Sequence, residues 1–92
     1  MAAFDLLGRR MAMSIVWELR SERLNFRELQ SAVGTNPGLL NTRLTELRAA
    51  LLVEHDEGGY TVTAQGKKLI DAMMPLLKWS QGWAKELGRS IE

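Results

Sequence analysis

The chain has 92 residues, 46 % of them hydrophobic and 25 % charged, with a formal net charge of +1 and no cysteine. A chain of that length forms one domain that buries roughly 60–70 % of its unfolded surface, and its mix of residues is that of an ordinary globular protein. The lack of cysteine excludes disulfides, thiolate metal sites and cysteine redox sensing. No apolar run approaches the ~18 residues of a membrane span. The start Met1-Ala2-Ala3-Phe4-Asp5 lacks a basic stretch followed by an apolar one, so no secretory signal is visible and the cytoplasm is the expected location.

Leu6, Leu7, Met11, Ile15, Val16 and Leu19 recur at steps of three and four, which predicts an amphipathic helix over 5–20. Asp5 is its candidate N-cap, and Gly8 is a weak point where it can bend. Asn25-Phe26-Arg27-Glu28 has the spacing of a capping box, in which Asn25 accepts from a first-turn amide while Glu28 reaches back to the Asn25 amide. It opens a second helix over 26–33 that buries Phe26, Leu29 and Val33, and Gly34 stops it. Asn36-Pro37 starts the next helix at once, with Asn as N-cap and Pro at the first helical position, where a missing N–H costs nothing. That helix, over 37–51, puts Leu40, Leu44, Leu47 and Leu51 on one stripe. Gly38, Thr42, Thr45 and Ala49 lie opposite, with Asn41 and Glu46 on the flanks. Two helices joined by so tight a turn must cross steeply. That is a helix-turn-helix, whose second helix can enter the major groove of DNA.

Residues 52–56 read as a strand, Glu57-Gly58-Gly59 as turn residues, and 60–63 as the returning strand with β-branched alternation. Thr63 is the N-cap of a helix over 64–74. Pro75 removes one helical hydrogen bond and clashes with the preceding turn, so a kink or break is expected there. A last helix covers 76–87 and ends at Gly88. The order helix-helix-helix-strand-strand-helix-helix, mainly α with a small two-stranded β wing, is a winged helix-turn-helix in a single domain over 1–92.

Small and polar side chains on the outer face of the 37–51 helix suit close approach to a duplex. Asn41, Thr42 and Thr45 can hydrogen-bond base edges or phosphates, and Asn36 and Gly38 lie beside them at the helix start. Arg27 is a candidate phosphate contact. Arg43 has two readings of equal weight, a phosphate contact or a tie to a carboxylate inside the domain. Charge is locally uneven: Arg9, Arg10, Arg20, Arg23 and Arg27 crowd the first third, whereas Glu54, Asp56 and Glu57 gather in the hairpin. His55 is the single histidine and has no second ligand in view, so no metal site is expected. No Ser/His/Asp set, paired catalytic carboxylates or phosphate-binding Gly loop appears, so neither catalysis nor a cofactor is expected.

The C-terminal part carries an apolar face of Leu69, Ile70, Met73, Leu76, Leu77, Trp79, Trp83, Ala84 and Leu87. A domain this small does not readily bury all of it. A ligand pocket is one reading and a dimer interface the better one, formed by Trp17, Met73, Leu77, Trp79, Trp83 and Leu87. Trp17 falls on the outer side of the first helix's stripe, where an exposed indole calls for a covering partner.

From Phe4 to about Trp83 these residues resemble the HxlR-type branch of the MarR-like winged-helix regulators. Phe4-Asp5-Leu6-Leu7-Gly8-Arg9-Arg10 is similar to that family's opening Leu-Asp-Leu-Ile-Gly-Gly-Lys, and Phe26-Arg27-Glu28-Leu29 to its Phe-x-Glu-Leu helix. Residues 36–47 look like its recognition helix, Ser-Pro-x-x-Leu-x-x-Arg-Leu-x-Glu-Leu. Tyr60-Thr61-Val62-Thr63-Ala64-Gln65-Gly66 looks like its wing exit, Tyr-x-Leu-Thr-x-x-Gly. The resemblance implies a homodimeric bacterial transcriptional regulator whose first and last helices, about 5–20 and 76–87, pair between protomers. Its partner would be double-stranded DNA, a pseudo-palindromic operator with half-sites about one turn, roughly 34 Å, apart. It implies no particular effector. Three departures stand out. The family's usual cysteine before the first helix has no counterpart, so thiol sensing is not carried over. Leu51 replaces a glycine after the recognition helix, which predicts a different helix end. The wing is short and acidic where the family's wings often carry an Arg. A protein-interaction module without DNA binding is the competing class, supported by the near-neutral charge and the acidic wing.

Overall fold

The computed structural model describes residues 2–91. In chain order the elements are α1 (Ala2–Leu7), α2 (Ala12–Glu18), α3 (Phe26–Val33), α4 (Pro37–Ala49), β1 (Val53–Asp56), β2 (Gly59–Val62) and α5 (Ala64–Ile91). The architecture is the expected winged helix, but two boundaries move. The single helix expected over 5–20 is two, and the two helices expected over 64–87 are one. The first break begins at the weak point, Gly8, and runs to Met11. Met11 takes a left-handed φ of 72°, which no α-helix can contain. Asp5 therefore sits inside α1 and is not its N-cap. At the other end, α5 runs through Pro75 without interruption. The proline ring lies on an exposed face, where water can solvate the carbonyl left without a donor.

The helix-turn-helix closes as its residues dictate. Asn25 Oδ1 accepts from the Glu28 amide at 2.8 Å, and Glu28 Oε1 accepts from the Asn25 amide at 2.9 Å, completing the capping box. Gly34 ends α3 with a φ of 73° and donates its amide to Gln30. Asn36 Oδ1 then accepts from the Leu39 amide at 2.8 Å, and Pro37 opens α4. Leu51 does not extend the buried stripe, because α4 stops at Ala49 and Leu51 is 69 % exposed. With a φ of 64°, Leu51 adopts the left-handed conformation that the glycine of the resembling family would supply.

The wing pairs β1 with β2 antiparallel, Val53 opposite Val62 and His55 opposite Tyr60. Leu24 adds a one-residue bridge to the outer side of β2 through two backbone bonds with Tyr60. Thr63 joins wing to helix: its hydroxyl donates to the Leu51 carbonyl at 2.5 Å and accepts from the Gly66 amide at 3.1 Å, capping α5. A Cβ at Gly66 would overlap the Leu52 carbonyl oxygen, so this first turn of α5 packs too closely for any side chain. The core lies where these parts meet, built from Ile15, Val16, Leu19, Leu29, Leu40, Leu44, Leu47, Val53 and Val62. Leucines at three- and four-residue steps turn one side of α4 into this core and leave the other side to solvent. Among the described residues no helix is long and apolar enough to cross a membrane.

Candidate nucleic-acid interface

The outward side of α4 exposes Gly38, Asn41, Thr42, Thr45, Arg48 and Ala49, directly behind which Leu40, Leu44 and Leu47 are buried. The Thr42 hydroxyl donates to the Gly38 carbonyl at 3.0 Å, and the Thr45 hydroxyl donates to the Asn41 carbonyl at 2.9 Å. Each hydroxyl therefore spends its proton within the helix and presents acceptor lone pairs outward. The Asn41 carboxamide is exposed and makes no side-chain hydrogen bond among the described residues, which leaves its donor and acceptor together for a base edge. Asn36 is also exposed, but its Oδ1 is engaged in capping, so it offers chiefly its N–H₂. Arg27 is exposed in the first turn of α3, beside the free amides of that helix start.

Arg43 stands apart from this group. Its Nε donates to the Arg10 carbonyl at 2.9 Å and its Nη1 to Glu46 Oε1 at 2.6 Å, with a side chain only 16 % exposed. Of the two roles open to it, the structure shows the tie within the domain. Glu46, on the flank as its spacing predicts, is half-buried and also accepts from Arg9. The carboxylate thus clamps the α1–α2 turn onto α4. In the wing, Arg23 pairs with Asp56, whose other oxygen accepts from the Gly58 amide at 2.8 Å. The Gly58 N–H first, and then the Arg23 guanidinium, hold the Asp56 carboxyl below its ordinary value of 3.8. The wing is therefore less negative than its sequence, since one of its three acids is matched by a guanidinium.

Arg48 was missed by the sequence reading. It is exposed and forms no ion pair among the described residues. The signal was its spacing: Asn41, Thr45 and Arg48 follow the i, i+4, i+7 repeat of one helix face. Among the described residues no cluster of three His, Cys, Asp or Glu residues is placed to hold a metal.

The residues proposed for a dimer do not share one environment. Met73 is 5 % exposed and belongs to the protomer's own interior, which corrects its assignment to an outer face. Trp17 is half-buried, with the Arg20 guanidinium 4.1 Å above its ring, so it is not the bare indole expected. Leu77 is half-buried. Trp79 and Trp83, by contrast, are 60 % and 51 % exposed and stack with ring centres 5.5 Å apart, and Leu76 and Leu87 are exposed on the same helix. An apolar hollow of about 410 Å³ lies between α1 and α5, lined by Phe4, Leu7, Met13, Leu69, Met73 and Leu76.

Residues 1–73 match a family described as a domain of unknown function, DUF7347. The chain belongs to that family. Among solved structures, this DUF7347 chain is similar to quinone-bound YodB from B. subtilis, with 29 % identity, a TM-score of 0.73 and 92 % of each chain covered. The reduced form of the transcriptional regulator YodB gives 28 % identity and a TM-score of 0.70, covering 92 % of this chain and 87 % of that one. A protein assigned as a transcriptional regulator of the MarR family, from Enterococcus faecalis V583, gives 26 % identity and a TM-score of 0.81, covering 96 % and 87 %. No curated protein matches the chain. These likenesses run nearly end to end, so the DUF7347 chain shares the whole MarR-like winged helix and not merely its helix-turn-helix.

Proposed function

We propose that the chain is a homodimeric, DNA-binding transcriptional regulator of HxlR type, with α4 in the major groove. The observation that carries this is the division of α4 into a buried leucine side and an exposed side of Gly38, Asn41, Thr42 and Thr45, small and polar along its length. Short side chains on that face let another surface come close to the helix, which long charged side chains would hold off. The similarity to YodB and to the MarR-family protein supports the same reading. Base edges would be read by Asn41, Thr42 and Thr45. Phosphates would be held by Arg27 and by the amides at the start of α3. The second half of α5, with Trp79, Trp83 and Leu87, would pair with α1 and α5 of a second copy and so set two recognition helices for two half-sites.

Selecting bound fragments from a random duplex library tests the reading and yields the half-site spacing. The Asn41→Ala/Thr42→Ala protein should then lose preference for the selected site, by on the order of 1–3 kcal/mol per lost base contact, and keep its weaker binding to random duplex. A wild-type protein that enriches no sequence and shows no salt-dependent mobility shift would instead be a protein-interaction module, the class its net charge of +1 favours.

A further inference from the structure

Beside the polar strip of α4 lies a recess of about 500 Å³ between the end of that helix and β1, whose lining includes Thr45, Arg48, Glu54, His55 and Thr63. Thr45 belongs both to this recess and to the outward face, so the two surfaces are continuous. We propose that Arg48 and His55 hold a DNA backbone phosphate at this recess, supplying from the helix end the contact that the acidic wing tip does not. The assignment rests on the DNA-binding reading above.

Three observations carry it. The first is availability. Arg9, Arg23 and Arg43 each pair with a carboxylate, whereas Arg10, Arg27 and Arg48 are exposed and pair with none among the described residues, and of these Arg48 is the one at the recess. The second is reach. Asn41 and Arg48 are separated by seven residues, about 10 Å of helix at 1.5 Å per residue, and the major groove is about 12 Å wide. A recognition helix meets the bases with its N-terminal residues, so with Asn41 over the bases Arg48 lies toward the end of the helix that leaves them, on the same face. The third is the second donor. His55 is exposed and lies flat against Tyr60, ring centres 4.0 Å apart at 7°, with its ring edge left open to the recess it lines. An imidazole offers an N–H donor in its neutral form as well as its charged one. Glu54 is the one carboxylate at the recess, and it opposes the bound anion.

The test is a titration of the full chain on its selected duplex and on random duplex across a range of salt, with wild type, Arg48→Ala, Arg48→Lys, His55→Ala and Glu54→Gln. A phosphate contact contributes about 0.9 to the slope of log affinity against log salt. Arg48→Ala should thus lower the slope by about one and weaken both duplexes about tenfold at 0.1 M salt. Arg48→Lys should keep the slope, because a point charge suffices at a phosphate. His55→Ala should weaken both duplexes by roughly 2- to 10-fold, the value of one hydrogen bond, and Glu54→Gln should tighten both. Arg48 and His55 are exposed, and circular dichroism verifies that each variant is folded. Unchanged affinity and slope in Arg48→Ala, or unchanged affinity in His55→Ala, overturns the proposal. So does a loss of preference at one base pair with the slope intact, which would make Arg48 a base reader. A wild type that binds no duplex overturns the DNA-binding reading itself.

Discussion

Leu51 holds a φ of 64° with its side chain 69 % exposed, so it bears the steric cost of the left-handed conformation and gains little from burial. That cost is roughly 1–2 kcal/mol for a residue with a Cβ, against about 0.5–1 kcal/mol for the extra freedom of glycine in the unfolded chain. Leu51→Gly should therefore stabilise the domain by about 0.5–1 kcal/mol, seen as a higher urea midpoint with an unchanged slope. A lower midpoint would show that the exposed leucine makes a contact worth more than the strain. Gly66 is the converse case, a glycine that the Leu52 carbonyl forbids to be anything else. Neither reason is visible in the sequence. Gly66 was singled out only through the resemblance, and Leu51 was placed on the buried stripe because its spacing from Leu47 fits a helix that has already ended. Arg43 was undecidable for a related cause: its partners include the Arg10 carbonyl, 33 residues away, on a turn whose position depends on the whole fold.

Elements with a strong local signal were legible: α3 and the start of α4 follow from Asn25, Glu28, Gly34, Asn36 and Pro37, each acting within one turn of itself. The two elements misread are those where the backbone departs from what the local residues prefer. The helical spacing from Leu6 to Leu19 continues through a break that a left-handed Met11 makes, and α5 tolerates the proline that should end it. Pro75→Ala restores one hydrogen bond and relieves one clash, on the order of 3 kcal/mol within a helix. Thermal melting should show a midpoint several degrees higher. An unchanged midpoint would mean that the turns beyond Pro75 are not coupled to the folding of the domain. The wing gives a pH prediction of known sign. Asp56 has a folded value held below 3.8, so its stabilisation is complete above the unfolded value and disappears as pH falls through the folded one. The Asp56 contribution should thus be unchanged from pH 7 to 5 and be lost only in stronger acid. Following the Asp56 carboxyl and the Gly58 amide by NMR checks this, and Arg23→Ala should raise the midpoint while leaving part of the shift, since Gly58 is the larger cause.

Over the whole molecule, α5 is the element out of proportion. Its 28 residues span about 42 Å at 1.5 Å per residue, most of the 48 Å of the longest axis. Its main contacts within the protomer are with α2 and β2, whereas Met74, Leu76, Trp79, Trp83 and Leu87 stay exposed along its later turns. Burying one such Trp or Leu at an interface is worth on the order of 2 kcal/mol, and a two-fold axis uses every residue twice. The stacked Trp79–Trp83 pair presents an exposed apolar surface, and the hollow between α1 and α5 is an apolar recess on the same molecule. On this reading Met73 acts from inside, fixing α5 to the protomer, while the tryptophans make the contact. Trp83→Glu puts two like charges into one apolar seam, where each costs more than the burial it replaces. The variant should be monomeric at tens of micromolar, and because a dimer ties folding to concentration, its melting temperature should lose the concentration dependence of the wild type. Its affinity for the selected duplex should fall as well, since a monomer engages one half-site without the effective concentration of a linked pair. Sedimentation equilibrium of both proteins decides the matter: a monomeric wild type, or a folded Trp83→Glu protein that remains dimeric, removes this interface.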